Sequence, residues 1–208
     1  MPGGVAFAAA CAAGYLAGSF PSAYLAGRLF KGVDLRTVGS GNLGATNVYR
    51  EIGAPAAIAV LAVDAAKGWL PVTYLPALFT VSGDSVLPVA VGAAAVIGHT
   101  KPVFLLWRGG GKGVATTAGV FLALAPAALG IAAAVFAVAV ALTRYVSVGS
   151  IAAAAALPIA VAVTTGPRGS VFIASLAVAA FVIWRHRTNM ERLREGREVR
   201  LGRPGGSR

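Results

Sequence analysis

Only 12% of the 208 residues are charged and 57% are hydrophobic, where a soluble domain carries roughly 25% charged residues. With a mean hydropathy of +0.77, this excludes a soluble globular enzyme and points to one compact membrane domain. The net charge of +11 is uneven, since eight of the eighteen basic residues follow Trp184, and next to a membrane span such a tail faces anionic headgroups and the cytoplasm, not nucleic acid.

A helix that crosses a bilayer needs about 20 mostly apolar residues. The first such stretch covers residues 4–27 and ends at Arg28. It contains Cys11, the one cysteine of the chain, so no intrachain disulfide forms. No Lys or Arg precedes it, so Cys11 reads as a small apolar residue of the span and not as a lipidation site. The second stretch covers residues 54–75, and the third, shorter, covers 86–97. Next comes a run over 114–142, which as one helix would be about 43 Å long at about 1.5 Å per residue. That exceeds a hydrocarbon core of about 30 Å. Pro126 and Gly130 offer a break in its middle, which yields two short spans. Stretches over 150–163 and 170–184 complete the set. Residues 202–208 read as a disordered basic tail, leaving 1–201 as a single domain.

Charge orients these spans. The loop 28–51 carries Arg28, Lys31, Arg36 and Arg50, and the loop 99–113 carries Lys101, Arg108 and Lys112, whereas the loop 76–85 has only Asp84. The positive-inside rule puts both basic loops and the arginine tail in the cytoplasm. Seven spans with the N-terminus outside satisfy all three, place Arg144 inside and leave only Arg168 outside. The expected fold is therefore an all-α polytopic membrane bundle of about seven transmembrane helices. Several are short, and the C-terminus is cytoplasmic.

Four polar blocks lie between these spans. In block 38–50, Gly39, Gly41 and Gly44 alternate with Ser40, Asn42, Thr46 and Asn47, and Arg50 shares a helix face with Asn47. Glycines let a backbone approach a ligand, and these side chains supply donors for oxyanions; a capped helix start packed on its neighbours is an equal alternative. In block 98–116, Arg108, Gly109, Gly110, Gly111, Lys112 and Gly113 precede a span, where backbone N–H groups and a lysine form an anion site. It is not a Walker A loop, which needs Gly in place of Leu106 and Ser or Thr in place of Gly113. In block 143–150, Arg144, Tyr145 and Ser147 read as an interfacial anchor with small residues for helix packing. In block 184–193, His186 and Asn189 sit three apart on a helix leaving the membrane, and the histidine can accept or relay a proton. Inside the second span, Asp64 and Lys67 form either a functional pair or an ion pair that fixes packing. Two histidines and one cysteine, far apart, do not make a metal site.

Together these blocks resemble the PlsY family of bacterial membrane glycerol-3-phosphate acyltransferases, from Gly18, Ser19, Phe20 and Pro21 to Gly196, Arg197 and Glu198. Block 40–50 is similar to the family's first motif and block 98–116 to its second, a glycine-rich phosphate loop. Block 185–198 is similar to its third, with His186, Asn189, Gly196 and Glu198 in place. Two departures stand out: three glycines precede Lys112 where the family usually has two, and Arg108 stands where it often has Lys. The register of the loop is therefore open.

The resemblance implies transfer of a fatty acyl group from a long-chain acyl-phosphate to the 1-hydroxyl of glycerol 3-phosphate. The products would be 1-acyl-glycerol 3-phosphate (lysophosphatidic acid) and inorganic phosphate, the first acylation of bacterial phospholipid synthesis. It implies no cofactor, a bacterial inner membrane location with a cytoplasmic active site, and contact with the soluble enzyme that makes the acyl-phosphate. The implied catalytic residues are Ser40, Arg50, Lys112, His186 and Asn189. Phosphate binding falls to Ser40, Asn42, Thr46, Asn47, Arg50, Arg108 and residues 109–113. Arg144 and Ser147 support the site, and Glu198 pairs with an arginine in a structural role. The base is either His186, positioned by Asn189, or a substrate phosphate, and direct transfer is favoured over a Ser40 acyl-enzyme for want of a partner base. The rival readings are a small membrane transporter for a phosphorylated solute, which would show repeated halves and midplane broken helices, and a non-catalytic lipid-binding protein.

Overall fold

The computed structural model describes residues 3–79 and 86–202, and among them every regular element is helical. Asp84, Arg203, Arg208 and all of the expected tail but Gly202 lie outside the described residues. The chain forms two compact units, Met1–Leu124 and Ala125–Arg208.

The first unit contains α1 (Gly3–Gly18), α2 (Ser22–Lys31), α3 (Ala45–Glu51), α4 (Ala54–Leu78), α5 (Leu87–Thr100), a 3-10 turn (Val103–Leu105) and α6 (Val114–Leu124). The first expected span is not one helix over 4–27, because it breaks at residues 19–21 and resumes as α2. Pro21 has no N–H to continue the ladder and disfavours helical backbone at Phe20. The carbonyl of Phe20 instead accepts a hydrogen bond from Lys67 Nζ at 3.0 Å. Lys67 also lies 2.8 Å from Asp64 Oδ1, which accepts a hydrogen bond from Ser22 Oγ at 2.5 Å. The internal ion pair is thus present, and it stitches the α1–α2 break to α4.

Close approach holds the long helices. A Cβ on Gly18 would strike the Ala95 carbonyl, and one on Gly98 the Tyr15 carbonyl, so α1 and α5 touch backbone to backbone. Gly68 and Gly119 do the same for α4 and α6, against the carbonyls of Thr116 and Ala65. Lipid supplies little hydrophobic drive between helices, so such contacts carry the packing. The run over 114–142 divides where expected: α6 ends at Leu124, Ala125 is non-helical, and Pro126 opens α7.

The second unit contains α7 (Pro126–Thr143), α8 (Val146–Thr164), α9 (Gly169–Arg185) and α10 (Arg187–Arg194). α8 starts four residues before the expected 150, so Ser147 belongs to its first turn. α9 and α10 meet at a 49° bend at His186. His186 and Asn189 therefore do not share one straight helix face, as their spacing suggested.

Among the described residues, five stretches are long and apolar enough to cross a membrane, counting Gly3–Lys31 as one, and the bent pair α9–α10 makes six. The seventh expected crossing rests on α6, whose 11 residues span only about 16 Å.

Candidate active site

The first polar block is shaped by one buried side chain. Asn47 on α3 is 1% exposed. Its Oδ1 accepts the Ser40 N–H at 3.0 Å, and its Nδ2 donates to the carbonyls of Leu35 at 3.2 Å and Val38 at 3.3 Å. Both amide hydrogens go to loop carbonyls, which gives Asn47 a loop-forming role. Beneath it Leu35, Leu43 and Val48 pack on Ala23, Ala26, Ala57 and Val60. Gly39, at φ 60°, leaves no room for a side chain beside Asn47 and Glu51. Ser40 is left exposed, while Asn42, Thr46 and Arg50 are half-buried.

The glycine loop lies across the end of α5. A Cβ on Gly110 would strike the Thr100 carbonyl, and one on Gly111 would overlap the His99 ring. The Gly111 N–H donates to the His99 carbonyl at 3.3 Å. Only glycine allows this contact, which accounts for the residue type at both positions. Just upstream, Leu106 and Trp107 both adopt left-handed backbone, with φ of 52° and 57°; each such residue costs about 1–2 kcal/mol. The cost is offset in part by Trp107 Nε1–H, which donates to Tyr15 Oη at 2.8 Å, and by Tyr15 O–H, which donates to the Lys101 carbonyl at 2.9 Å. Downstream, the Thr117 N–H closes on the Gly113 carbonyl at 2.8 Å and starts α6. Lys112, half-buried, stands just before that helix start, where amides and a cation favour an anion. Arg108 is exposed, and its carbonyl accepts a hydrogen bond from Arg36 Nη1 at 3.1 Å. The first two polar blocks thus meet on one face of this unit.

Between them lies a shallow recess lined by Ser22, Leu43, Lys67, His99, Gly110 and Gly111 among others. Ser22, Lys67 and His99 are absent from the expected site. His99 Nδ1 is 3.8 Å from Asp64, so the intramembrane pair and the glycine loop share one wall. The signal available in the sequence was the Asp64–Lys67 pair inside an apolar span; nothing in the spacing linked it to the loop.

The second unit gathers the other candidates around Glu198, which is 9% exposed. Glu198 Oε1 accepts hydrogen bonds from Ser147 Oγ at 2.9 Å and Asn189 Nδ2 at 2.7 Å, and Oε2 accepts one from Arg192 Nε at 2.8 Å. Burial raises the carboxyl pKa, but the hydrogen bonds from Arg192, Asn189 and Ser147 outweigh it and hold the group below its ordinary value. Arg144 caps α7 in left-handed backbone, and its carbonyl accepts the Leu201 N–H at 2.7 Å. Arg200 stacks on Tyr145 at 5.3 Å and donates to its hydroxyl at 3.1 Å. Block 143–150 therefore anchors the segment that follows α10. His186 is buried, and its Nδ1 lies 2.7 Å from the Val182 carbonyl. A carbonyl only accepts, so Nδ1 carries a hydrogen, which places the lone pair on Nε2 whenever the ring is neutral.

A multi-spanning helical protein with a lysine-bearing glycine loop beside a second donor-rich loop belongs to the class that handles phosphorylated substrates at a membrane. Residues 8–196 match the family model described as glycerol-3-phosphate acyltransferase. The chain belongs to that family, and its activity is that of an acyltransferase. It is 48% identical over 198 residues to the glycerol-3-phosphate acyltransferase of Prochlorococcus marinus (strain NATL2A), covering 92% of this chain and 96% of the relative. It is 46% identical over 193 residues to that of Anaeromyxobacter sp. (strain Fw109-5), covering 91% and 94%. The crystal structure of PlsY, an integral membrane glycerol 3-phosphate acyltransferase, in its glycerol 3-phosphate form superposes with a TM-score of 0.86 at 38% identity, covering 94% of this chain and 96% of that one. The lysophosphatidic acid form gives 0.83 at 36% identity, covering 94% and 95%. The family assignment bears out the resemblance and removes the transporter alternative.

Proposed function

We propose that this protein transfers a long-chain acyl group from acyl-phosphate to the 1-hydroxyl of glycerol 3-phosphate. The observation that carries this reading is the glycine loop 109–113, laid on the end of α5 with Lys112 before α6 and meeting block 38–50 at the Leu43 carbonyl and Arg36 just before that block. It presents backbone amides and cations on one face, as two phosphate-bearing substrates require. Lys112, Arg50 and the loop amides other than that of Gly111, which serves the His99 carbonyl, hold the phosphates; Ser40, Asn42 and Thr46 add donors, and Arg108 adds surface charge. Holding two reactants in attack geometry removes about 7–11 kcal/mol of barrier.

The step is a direct acyl transfer. The hydroxyl oxygen attacks the acyl carbonyl carbon, the bond from that carbon to the phosphate oxygen breaks, and inorganic phosphate leaves with the electron pair. The hydroxyl proton goes to the departing phosphate or to His186 Nε2, and the pH–rate profile of a His186→Gln variant separates the two. Ser40 donates to developing negative charge and forms no acyl-enzyme. Asn189, Ser147 and Glu198 hold the surroundings of His186, and Arg144 holds the segment after α10.

The site faces the cytoplasm of a bacterial inner membrane, with the N-terminus outside. Supporting this, basic loops 28–51 and 99–113 meet through Arg36 and the Arg108 carbonyl, and the Arg144 turn meets Leu201, so basic segments share a side within each unit. A cytoplasmic site also suits delivery by the soluble enzyme that forms acyl-phosphate. The test is phosphate release by purified protein given palmitoyl-phosphate with and without glycerol 3-phosphate. Acceptor-dependent release with matching lysophosphatidate is expected; release that ignores the acceptor would sink the reading.

A further inference from the structure

The Asp34–Arg36 pair has no part in the reaction just described, yet it sits between the two loops of the site. We propose that Arg36, oriented by Asp34, is a positioning residue that fixes the start of the glycine loop and so sets how tightly the loop holds substrate phosphate. This rests on the reading of residues 109–113 as the phosphate-holding loop.

Three sets of contacts define the Arg36 guanidinium. Its Nε donates to Asp34 Oδ1 at 3.0 Å and Oδ2 at 3.1 Å, and its Nη2 donates to Oδ2 at 2.6 Å. Its plane lies 5.2 Å from the ring centroid of Tyr24 on α2. The remaining Nη1 donates to the Arg108 carbonyl at 3.1 Å. The stem is fixed too. The Arg36 N–H donates to Asp34 Oδ1 at 3.0 Å, and a Cβ on Gly109 would come within 2.7 Å of Arg36 Cδ. Gly109, at φ 86°, closes on the arginine stem as Gly110 and Gly111 close on α5.

The pair is also one-sided in charge. Arg36 holds the Asp34 carboxyl well below its ordinary range, at about 2, with Arg28 adding to the effect from 3.7 Å. Asp34 is therefore an anion at every pH at which the enzyme works, and its acceptor sites keep the guanidinium aimed. The loop gains a hydrogen bond to its first carbonyl from a group that does not itself reach for ligand. Without it, the strained backbone of Leu106 and Trp107 would lose its tie to the segment leading into block 38–50 and keep only local turn hydrogen bonds and the Trp107–Tyr15 contact. A lysine cannot replace this arrangement, since one ammonium cannot engage the carboxylate bidentately while reaching the Arg108 carbonyl.

The experiment measures kcat, the KM for each substrate and the melting temperature of full-length protein in detergent, for Arg36→Gln, Arg36→Lys, Asp34→Asn and Lys112→Ala. Arg36→Gln is expected to raise the KM of a phosphate substrate about ten- to a hundredfold, the loss of one charge-assisted hydrogen bond, with kcat changed less than about threefold. Arg36→Lys should recover part of that loss, and Asp34→Asn should raise the same KM by less. If both KM values stay within about twofold while Lys112→Ala is inactive, the strut is overturned and the phosphate-loop reading stands. If Lys112→Ala is fully active, that reading fails and takes the strut with it. A fall in kcat and melting temperature at unchanged KM would reduce Arg36 to a structural residue and overturn the proposal.

Discussion

The two units use similar polar blocks for opposite ends. In the first, the groups bordering the loops turn hydrogen bonds toward backbone: buried Asn47 serves three loop groups, and half-buried Arg36 holds the Arg108 carbonyl. Exposed Ser40 and half-buried Lys112 are then carried on loops whose shape is already set. In the second, side chains satisfy one another, with buried Ser147 and Asn189 and half-buried Arg192 converging on one carboxylate. A loop held through its backbone presents side chains to a ligand, whereas a closed side-chain network ties the chain to itself. The comparison separates residues whose loss should cost turnover from those whose loss should cost the fold.

The largest effect belongs to the first kind. Lys112→Ala should lower acceptor-dependent phosphate release about a hundredfold or more, in the range seen when a preorganised stabilising group is lost. Its melting temperature should stay unchanged, and a parallel fall in both would break the comparison. Glu198→Ala should do the reverse. It strips three donors of their common acceptor, two of them buried, at a cost of about 1–3 kcal/mol for donors left unsatisfied. A melt in detergent should show it plainly, and turnover should fall only with the folded fraction.

The sequence made the helices and the anion loop visible because both leave local marks. Pro126 divided the run over 114–142 at the right place, and three glycines before Lys112 marked an anion loop. The missed features are held by contacts between distant segments. The break at residues 19–21 lies inside a continuous apolar run and is stabilised by Lys67 and Asp64 from another helix. The early start of α8 and the bend at His186 serve Glu198, which lies 51 residues from Ser147. Asn47 looked like a ligand donor because its amide chemistry is the same whether it meets a phosphate or a carbonyl; only the fold shows that Leu35 and Val38 occupy it.

Acid should discriminate the two carboxylates at the centre of each unit's polar structure. Both have folded pKa values below the ordinary ones of 4.5 for Glu198 and 3.8 for Asp34. A depressed carboxylate contributes stability above its unfolded pKa and loses it as pH falls through the folded value. Melting temperature should therefore hold steady from neutral pH down to the ordinary range of each group and decline below it. For Asp34 the decline should continue to about pH 2. Glu198→Gln should flatten the upper part of that acid limb and Asp34→Asn the lower part. A limb unchanged in both variants would show that neither carboxylate is held as described.

The smallest effect tests whether the Glu198 network is a closed tie or a loose one. Ser147→Ala removes one of its three donors, and Glu198 keeps Asn189 and Arg192. A single neutral donor lost from a carboxylate that stays paired should cost about 1 kcal/mol, less than the Glu198→Ala loss. Combining the two substitutions should add almost nothing to Glu198→Ala alone, because Ser147 would have no acceptor left to serve. Additive losses would mean that Ser147 stabilises α8 by a separate route, and the anchoring of residues 197–202 would then rest on Arg144 and Tyr145 instead.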